Sequence, residues 1–343
     1  MEQQRTYTNH FILIGFLLLI LAFLNINLGS VHIPFEEVFT SLTGGTASKK
    51  SWQTIILNYR LPKTITAILV GSGLSISGLL MQTLFRNPLA GPFVLGISSG
   101  ASLGVAIFLL GAGLFGNFTL FSVFSGWGLP IASSIGAFLV LLAVIVAANK
   151  VRNTMSILII GLMFGALAGA LISVLSYFSE AEQIQQFAFW NFGSLGNLTW
   201  NEILIFSVVY LLAIIGVIAS IKPLNSFLLG ENYAKSLGIN TRRSRNVILF
   251  ITSLLTGIIT SFAGPIAFVG LAVPHITKLV FKTSNHKILL PAVAIIGGIV
   301  LLICDSIAQL PNSEFTLPIN AITSLFGAPV VIWLLVRKKK IYV

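Results

Sequence analysis

Long stretches without a charged side chain divide the chain, and most are of the length that crosses a membrane. A bilayer core about 30 Å thick needs about 20 apolar residues per helix. Eight such stretches predict ten spans, because two of them hold more than one helix: Gly264-Pro265 divides 246–277, and 87–149 is long enough for two helices. The eight long, mainly apolar stretches without Asp, Glu, Lys or Arg are 6–35, 64–85, 87–149, 153–179, 203–221, 246–277, 288–304 and 315–336.

The predicted fold class is therefore all-α, a polytopic membrane protein with about ten transmembrane helices in a single domain over 1–343. The first span is kept as an uncleaved helix, because no small-residue cleavage site follows it. The spans are predicted at 11–28, 62–84, 93–111, 129–149, 155–177, 202–221, 246–264, 267–282, 288–308 and 318–336.

Composition excludes most other classes of protein. Hydrophobic residues make up 56% of the 343 residues and charged residues 8%, whereas soluble domains carry about 25% charged residues. A soluble enzyme and a disordered chain are both excluded by these values. The one cysteine, Cys304, excludes a disulfide framework and a cysteine-rich metal site.

Charge asymmetry predicts the orientation. With the N-terminus inside and ten alternating spans, 16 of the 20 Lys and Arg residues lie on the inside. The inner segments then carry a net charge of +14 and the outer segments −3. This sorting follows the positive-inside rule and places both termini in the cytoplasm. The basic residues are spread over cytoplasmic loops, so no nucleic-acid partner is predicted despite the net charge of +11.

Glycine repeats at four-residue spacing leave bare backbone along one face of two predicted helices. Such faces allow close helix approach within lipid, either for ordinary packing or for a movable bundle. Ala90-Gly91-Pro92 and Ala263-Gly264-Pro265 also echo each other on opposite sides, which suggests an inverted repeat. The repeats are Gly96, Gly100 and Gly104, and Gly161, Gly165 and Gly169.

The spans carry little chemistry of their own. Gradient-driven transporters usually bury ionisable residues, but here Asp305 is the one acidic residue near a span, at its outer end. A phosphate-loop interpretation of 44–51 fails, because Lys49 replaces the second glycine that the backbone cradle needs. We predict no catalytic residue and no metal ligand, so uphill transport would need energy from another protein.

The largest cytoplasmic segment, 222–245, predicts two short helices at 224–229 and 231–237, the second ended by Gly238. A short tethered helix suits docking into a groove on a partner. An interfacial loop with cytoplasmic charges is the alternative that the residues leave open.

Several ordered motifs then match a known family. The chain resembles the ten-span permeases of ATP-binding-cassette importers for iron chelates, haem and cobalamin, from about residue 52 to 336. The motifs are Arg60-Leu61-Pro62; Gln82 to Ala90 (QTLFRNPLA); Leu95 to Ala101 (LGISSGA); Phe189-Trp190 with Gly193 to Gly196; Ala263 to Ile266 with Phe268 to Leu271 and Val273 to His275; and Phe326 to Pro329.

The resemblance implies a permease subunit in a bacterial inner membrane that carries a ferric siderophore or haem. Its implied partners are a second copy of itself, two copies of an ATPase, a substrate-binding protein on the outer face, and membrane lipid. No cofactor is bound directly, and ATP and Mg²⁺ belong to the ATPase. A cobalamin importer is the first alternative, and a gradient-driven transporter or channel is the alternative from another class.

The resemblance also implies site residues. Coupling to the ATPase falls on Glu231, Ala234, Leu237 and Gly238, with Asn232 where relatives often have a second acidic residue. The cytoplasmic gate falls on Asn87, Leu89, Thr154 and Met155. Docking of the binding protein falls on Arg60 and Lys63, with headgroup anchoring as their alternative role. A third basic residue common in the family is replaced here by Gln309.

Overall fold

The computed structural model describes residues 2–111, 127–151, 154–196, 198–309 and 315–336, which form helices and turns without a β-strand. The predicted cytoplasmic tail, 337–340, lies outside these residues. The helices are α1 Glu2–Asn27, α2 Phe35–Leu42, α3 Lys50–Ile55, α4 Leu61–Phe85, α5 Ile97–Leu110, α6 Gly128–Lys150, α7 Thr154–Tyr177, α8 Ala181–Asn191, α9 Trp200–Ala219, α10 Ile221–Leu228, α11 Glu231–Ser236, α12 Thr241–Ala263, α13 Val269–Phe281, α14 His286–Ala308 and α15 Ile319–Val336.

The all-α prediction is confirmed, and each of the ten predicted spans coincides with a helix. Within the described residues, seven helices are long and apolar enough to cross a membrane. Three further spans are shorter apolar helices, α5, α13 and α15. Several boundaries differ by a few residues, and the largest difference is at the second span: a π-helical turn, Ile56–Arg60, joins α3 to α4, so the helix predicted at 62–84 extends back to Lys50.

Contacts group the chain into two compact units. The first comprises Met1–Ile76, Ser194–Val208 and Ile266–Tyr342. The second comprises Ser77–Gly193 and Val209–Pro265. Neither unit is a continuous stretch of sequence, and the single domain over 1–343 stays a prediction.

Bare glycine backbone joins α4 to α14 in the first unit. A Cβ atom on Gly71 would collide with the carbonyl oxygen of Gly297, and a Cβ on Gly297 would collide with that of Gly71. The adjacent Gly298 is close to Ile68 of α4 and Leu18 of α1. Lipid tails are as apolar as leucine, so close packing of this kind, rather than apolar burial, holds the helices together.

The two glycine repeats pack helices in the second unit. Gly100 of α5 faces the Gly136 backbone of α6, and a Cβ on Gly161 of α7 would lie 2.5 Å from the Val94 carbonyl oxygen. Contact weakens along α7: a Cβ on Gly165 would have its nearest neighbour at 3.3 Å, and one on Gly169 has none within 4 Å. The packing interpretation of the repeats therefore holds at these tight positions.

Two of the motifs behind the resemblance meet in the second unit. Gly264, which ends α12, has φ +73°. A Cβ there would lie 2.7 Å from the Trp190 carbonyl oxygen and 2.9 Å from Gly193 Cα. Glycine is needed at this position both for the left-handed backbone and for the close approach.

Candidate functional site

The segment 222–245 forms two short helices, as predicted, with small differences in their ends. α10 covers Ile221–Leu228 and α11 covers Glu231–Ser236. Gly238 takes φ +77°, its N–H donates to the Lys235 carbonyl at 2.9 Å, and the Ile239 N–H donates to Ala234 at 3.1 Å. These two bonds form a Schellman cap, which explains why the helix stops at a glycine.

The predicted coupling residues differ in what they present to a partner. Leu237 is 56% exposed and Gly238 is also exposed, while Glu231 is half-buried and lies 3.6 Å from Lys235 Nζ. Ala234 is completely buried, so its side chain packs within this chain and does not form part of the outer surface. Tyr233 of α11 and Leu237, the residue that follows this helix, form an exposed apolar surface. The coupling role of all four residues stays a prediction.

The predicted gate turn follows α4 and is closed by its own backbone. Arg86 has φ +48°, its N–H donates to Thr83, and the Asn87 N–H donates to Gln82 at 3.2 Å. This is again a Schellman cap, here with an arginine in the left-handed position that glycine usually takes. The Asn87 side chain then accepts the Leu89 N–H at 2.9 Å. This bond spans Pro88 and fixes the turn.

Two of the gate residues, Leu89 and Met155, are exposed in the chain by itself. Leu89 is 43% exposed and Met155, in the first turn of α7, is 52% exposed. Thr154 is the first residue of α7, and its side chain lies outside the described part of the chain. Exposed apolar side chains at a helix end suit contact with another copy, and gating itself stays a prediction.

A small cavity connects the gate turn with the coupling segment, which sequence analysis did not foresee. It has a volume of about 190 Å³, and its charged lining residues are Arg86, Arg245 and Glu231. Arg86 Nη1 lies close to Gly230, which precedes α11 with φ +108°. The start of α11 and the Arg86–Asn87 turn are therefore neighbours within the same unit.

Arg60 is buried, contrary to the exposure that the docking prediction assumes. It is 8% exposed, and its guanidinium donates to the carbonyl oxygens of Ile26, Asn27 and Val31. A Cβ on Gly29 would lie 2.7 Å from Arg60 Nη2, so glycine makes room for the guanidinium. These bonds tie the end of α1 to the π-helical turn, and the side chain is a structural clamp in this conformation.

Lys63 is ion-paired rather than free. Its Nζ lies 3.0 Å from Asp305 Oδ1, and its side chain is 21% exposed against 3% for Asp305. Asp305 Oδ2 also accepts Asn25 Nδ2 at 2.9 Å and Gln309 Nε2 at 2.7 Å. Gln309, where a docking cation was expected, is thus a ligand of the buried carboxylate. Docking by Arg60 and Lys63 stays a prediction. Both cations already have partners within the chain, so they present less unpaired charge to a binding protein than expected.

The same unit holds a second hydrogen-bonded carboxylate, Glu37 of α2, which accepts bonds from the loop that follows this helix. The Ser48 N–H donates to Glu37 Oε2 at 2.8 Å, and the Ser48 hydroxyl donates to Oε1. These bonds stabilise the charged form and hold the pKa of Glu37 below its ordinary value. They fix the loop 43–48 while the carboxylate is ionised.

Comparison with known proteins matches most of the length of the chain. The profile of the FecCD transport family matches residues 17–337. The hemin transport system permease protein HmuU of Yersinia pestis is 32% identical over 333 residues, covering 96% of each chain. The vitamin B12 import system permease protein BtuC of Salmonella typhi is 35% identical over 289 residues, covering 84% of this chain and 85% of the relative.

Two solved structures also align with most of this chain. An inward-facing structure described as a metal-chelate type ABC transporter aligns with a TM-score of 0.83 at 29% identity, covering 97% of this chain and all of the other. PsaBC from Streptococcus pneumoniae, solved with a Fab, aligns with a TM-score of 0.53 at 18% identity and supports the fold only.

Proposed function

Because the chain belongs to the FecCD transport family, as a membrane-spanning permease of the ABC importer type, we propose that it carries an iron chelate, a ferric siderophore or haem, across the bacterial inner membrane. Two copies form the permease, with the path along their two-fold axis. Two copies of a separate ATPase supply the energy, with ATP and Mg²⁺ bound there. A binding protein delivers the substrate from outside, and both termini are cytoplasmic.

The observation that carries the proposal is the contact between coupling helix and gate turn. α11 exposes Tyr233 and Leu237, while Arg86 lies beside Gly230 at its start. An ATPase that binds the exposed surface of α11 therefore pushes on a residue adjacent to Asn87. The coupling helix and the gate turn are neighbours, so no other element of the chain is needed between them.

A coupling variant tests this. Leu237→Arg places a charge in a 56% exposed apolar position, while Phe39→Arg makes the same change at a 57% exposed position on the predicted outer side. A central apolar contact at an interface is worth about 2 kcal/mol, so co-purification of the ATPase should weaken about 30-fold for Leu237→Arg. Phe39→Arg should retain the ATPase. Retention by both variants, or loss by both, contradicts coupling through α11.

Gate assignment is tested by crosslinking. Cys304, the only cysteine in the sequence, is buried, so N87C and T154C can be introduced with little background. The two cysteines should crosslink across the dimer in one nucleotide state of the transporter. Equal crosslinking in every state, or none in any, removes Asn87 and Thr154 from the gate.

Docking of the binding protein is tested at Lys63. Arg60 is unsuited, since its substitution removes three bonds to backbone carbonyls. Lys63→Gln removes the charge but keeps a hydrogen-bond donor for Asp305, and it should slow association at low salt, because surface charge acts chiefly on encounter rate and is screened by salt. An unchanged rate leaves Lys63 as the partner of Asp305 only.

The substrate separates the two candidate functions. Cobalamin is the second candidate, because the vitamin B12 permease BtuC is as similar to the chain as the hemin permease HmuU. Liposomes holding the permease and its ATPase, supplied with the cognate binding protein, should take up haem, a ferric siderophore or cobalamin with ATP inside. Uptake driven by an ion gradient without the ATPase supports the gradient-driven alternative instead.

A further inference from the structure

A groove opens on the surface of the second unit where α6 ends and α12 begins. It encloses about 520 Å³. Its polar rim is formed by Arg242, Arg243 and Asn246, and its apolar floor by Ile145, Val247 and Phe250. Two cations beside an apolar floor, at the ends of helices long and apolar enough to cross a membrane, suit contact with a lipid headgroup.

An apolar cavity lies next to this groove along the same two helices. It encloses about 460 Å³, and Phe250 lines both spaces. Leu139 of α6, Val209 of α9 and Leu254 and Ile258 of α12 are among its walls. The helices run antiparallel here, since Asn149 bonds to Asn246 and Ser134 bonds to Ser261. The groove and the cavity therefore follow one another from the ends of α6 and α12 toward the middle of these helices.

The two arginines are held at the rim with their charge exposed. Arg242 Nε donates to Asn149 Oδ1 at 3.0 Å, and the Asn240 side chain caps α12 by accepting the Arg243 N–H at 3.0 Å. Both side chains are exposed. Across the described ranges, no carboxylate forms an ion pair with either guanidinium.

We propose that this groove binds an anionic phospholipid, with its phosphate on Arg242 and Arg243 and an acyl chain in the apolar cavity below. Guanidinium groups bind phosphate with two parallel hydrogen bonds. A free phosphate would use the rim only, and a neutral apolar molecule would use the cavity only. The inference rests on the proposed orientation, which puts the arginines at the cytoplasmic leaflet, where anionic lipids act on basic segments.

Native mass spectrometry of the purified permease tests the site without any transport assay, so its failure is distinct from failure of the proposed function. The protein in detergent is titrated with phosphatidylglycerol and, separately, with phosphatidylcholine. Each cation near an anionic lipid contributes about fivefold in affinity. Arg242→Gln with Arg243→Gln should therefore weaken phosphatidylglycerol binding about 30-fold and leave phosphatidylcholine binding unchanged.

Two controls separate the site from general charge. Lys222→Gln with Lys287→Gln removes the same charge from two other exposed positions and should not change lipid binding. Val247→Trp, at a 41% exposed position, fills the groove without changing charge and should weaken phosphatidylglycerol binding with both arginines present. Circular dichroism and gel filtration check that each variant is folded.

Four results would overturn the proposal. They are equal retention of the two lipids by the unmodified protein, equal weakening by the lysine control, and displacement of the lipid by glycerophosphate, which has no acyl chain. The fourth is a change of oligomeric state in the Val247→Trp variant, which would make the groove a contact between copies.

Discussion

Asp305→Ala should destabilise the protein more than any surface substitution, because it removes the acceptor of three bonds at once. Lys63 Nζ at 3.0 Å, Asn25 Nδ2 at 2.9 Å and Gln309 Nε2 at 2.7 Å all donate to this carboxylate. The change leaves the Lys63 ammonium and the Gln309 amide without this acceptor in a site where Asp305 is 2% exposed, while Asn25 Nδ2 keeps its bond to the Ser306 hydroxyl at 3.1 Å. Polar groups left unpaired away from water are costly, and within the membrane the alternative partners are few.

The size of the effect follows from burial. Removing one partner of a buried ion pair costs about 3–5 kcal/mol. Lys63 is 21% exposed and can turn its ammonium toward the surface, so we expect the lower end, about 3 kcal/mol. Asp305→Asn keeps the volume and one amide contact, so it should cost less, about 1–2 kcal/mol. Lys63→Ala combined with Asp305→Ala should cost less than the sum of the two, by about 1 kcal/mol or more.

Unfolding in mixed detergent micelles with increasing dodecyl sulfate, followed by tryptophan fluorescence, measures these free energies. Glu36→Ala removes an exposed carboxylate from α2 and is the matched control, with an expected change below about 0.5 kcal/mol. If Asp305→Ala unfolds at the same dodecyl sulfate fraction as the control, the carboxylate does not hold these helices together. If the free-energy costs of Lys63→Ala and Asp305→Ala are strictly additive in the double variant, the two side chains do not stabilise the protein as an ion pair.

Three further predictions concern single positions. Gly161→Ala should cost about 1–3 kcal/mol by overpacking and Gly169→Ala less than about 0.5 kcal/mol, and equal costs in the same titration would contradict the packing gradient along α7. Arg60→Ala should lower the thermal midpoint of unfolding, and Arg60→Lys should not restore it, because an ammonium cannot reach all three carbonyl oxygens. Recovery of the midpoint in Arg60→Lys would show that the positive charge alone is sufficient. Ser48→Ala should raise the pKa of Glu37 toward its ordinary value, as measured in a carboxyl-carbon NMR titration. Because folding lowers the pKa of Glu37, the bonds from Ser48 stabilise the folded protein at neutral pH. This stabilisation is lost as the pH falls through the folded-state pKa of Glu37.

Span positions were predictable from sequence because lipid imposes one simple rule, a long apolar stretch for each helix. The predicted span 129–149 and the helix Gly128–Lys150 differ by one residue at each end. The rule fails where a helix leaves the lipid. Lys50 begins a helix that runs to Phe85, but Arg60 and Lys63 interrupt the apolar pattern, so the first part was not foreseen.

Burial of polar side chains was harder to predict. Arg60 bonds to backbone carbonyls, which leave no pattern of side chains to recognise. Asp305 and Asn25 lie 280 positions apart, so neither identifies the other in the sequence. Ala234 suits an exposed or a buried position equally well by its size, and its burial depends on how α11 rests on its own chain. Such contacts depend on tertiary structure, which hydropathy does not specify.

The pairing of α4 with α14 also constrains how the sequence can change in length. Lys63 meets Asp305, and Gly71 meets Gly297, so the two contacts are eight residues apart on each helix. An inserted or deleted residue between the two positions of either helix would rotate one contact by about 100° relative to the other. Either the ion pair or the glycine contact would then be lost. Relatives aligned over these segments should therefore show substitutions but no gaps, unless both helices change length together.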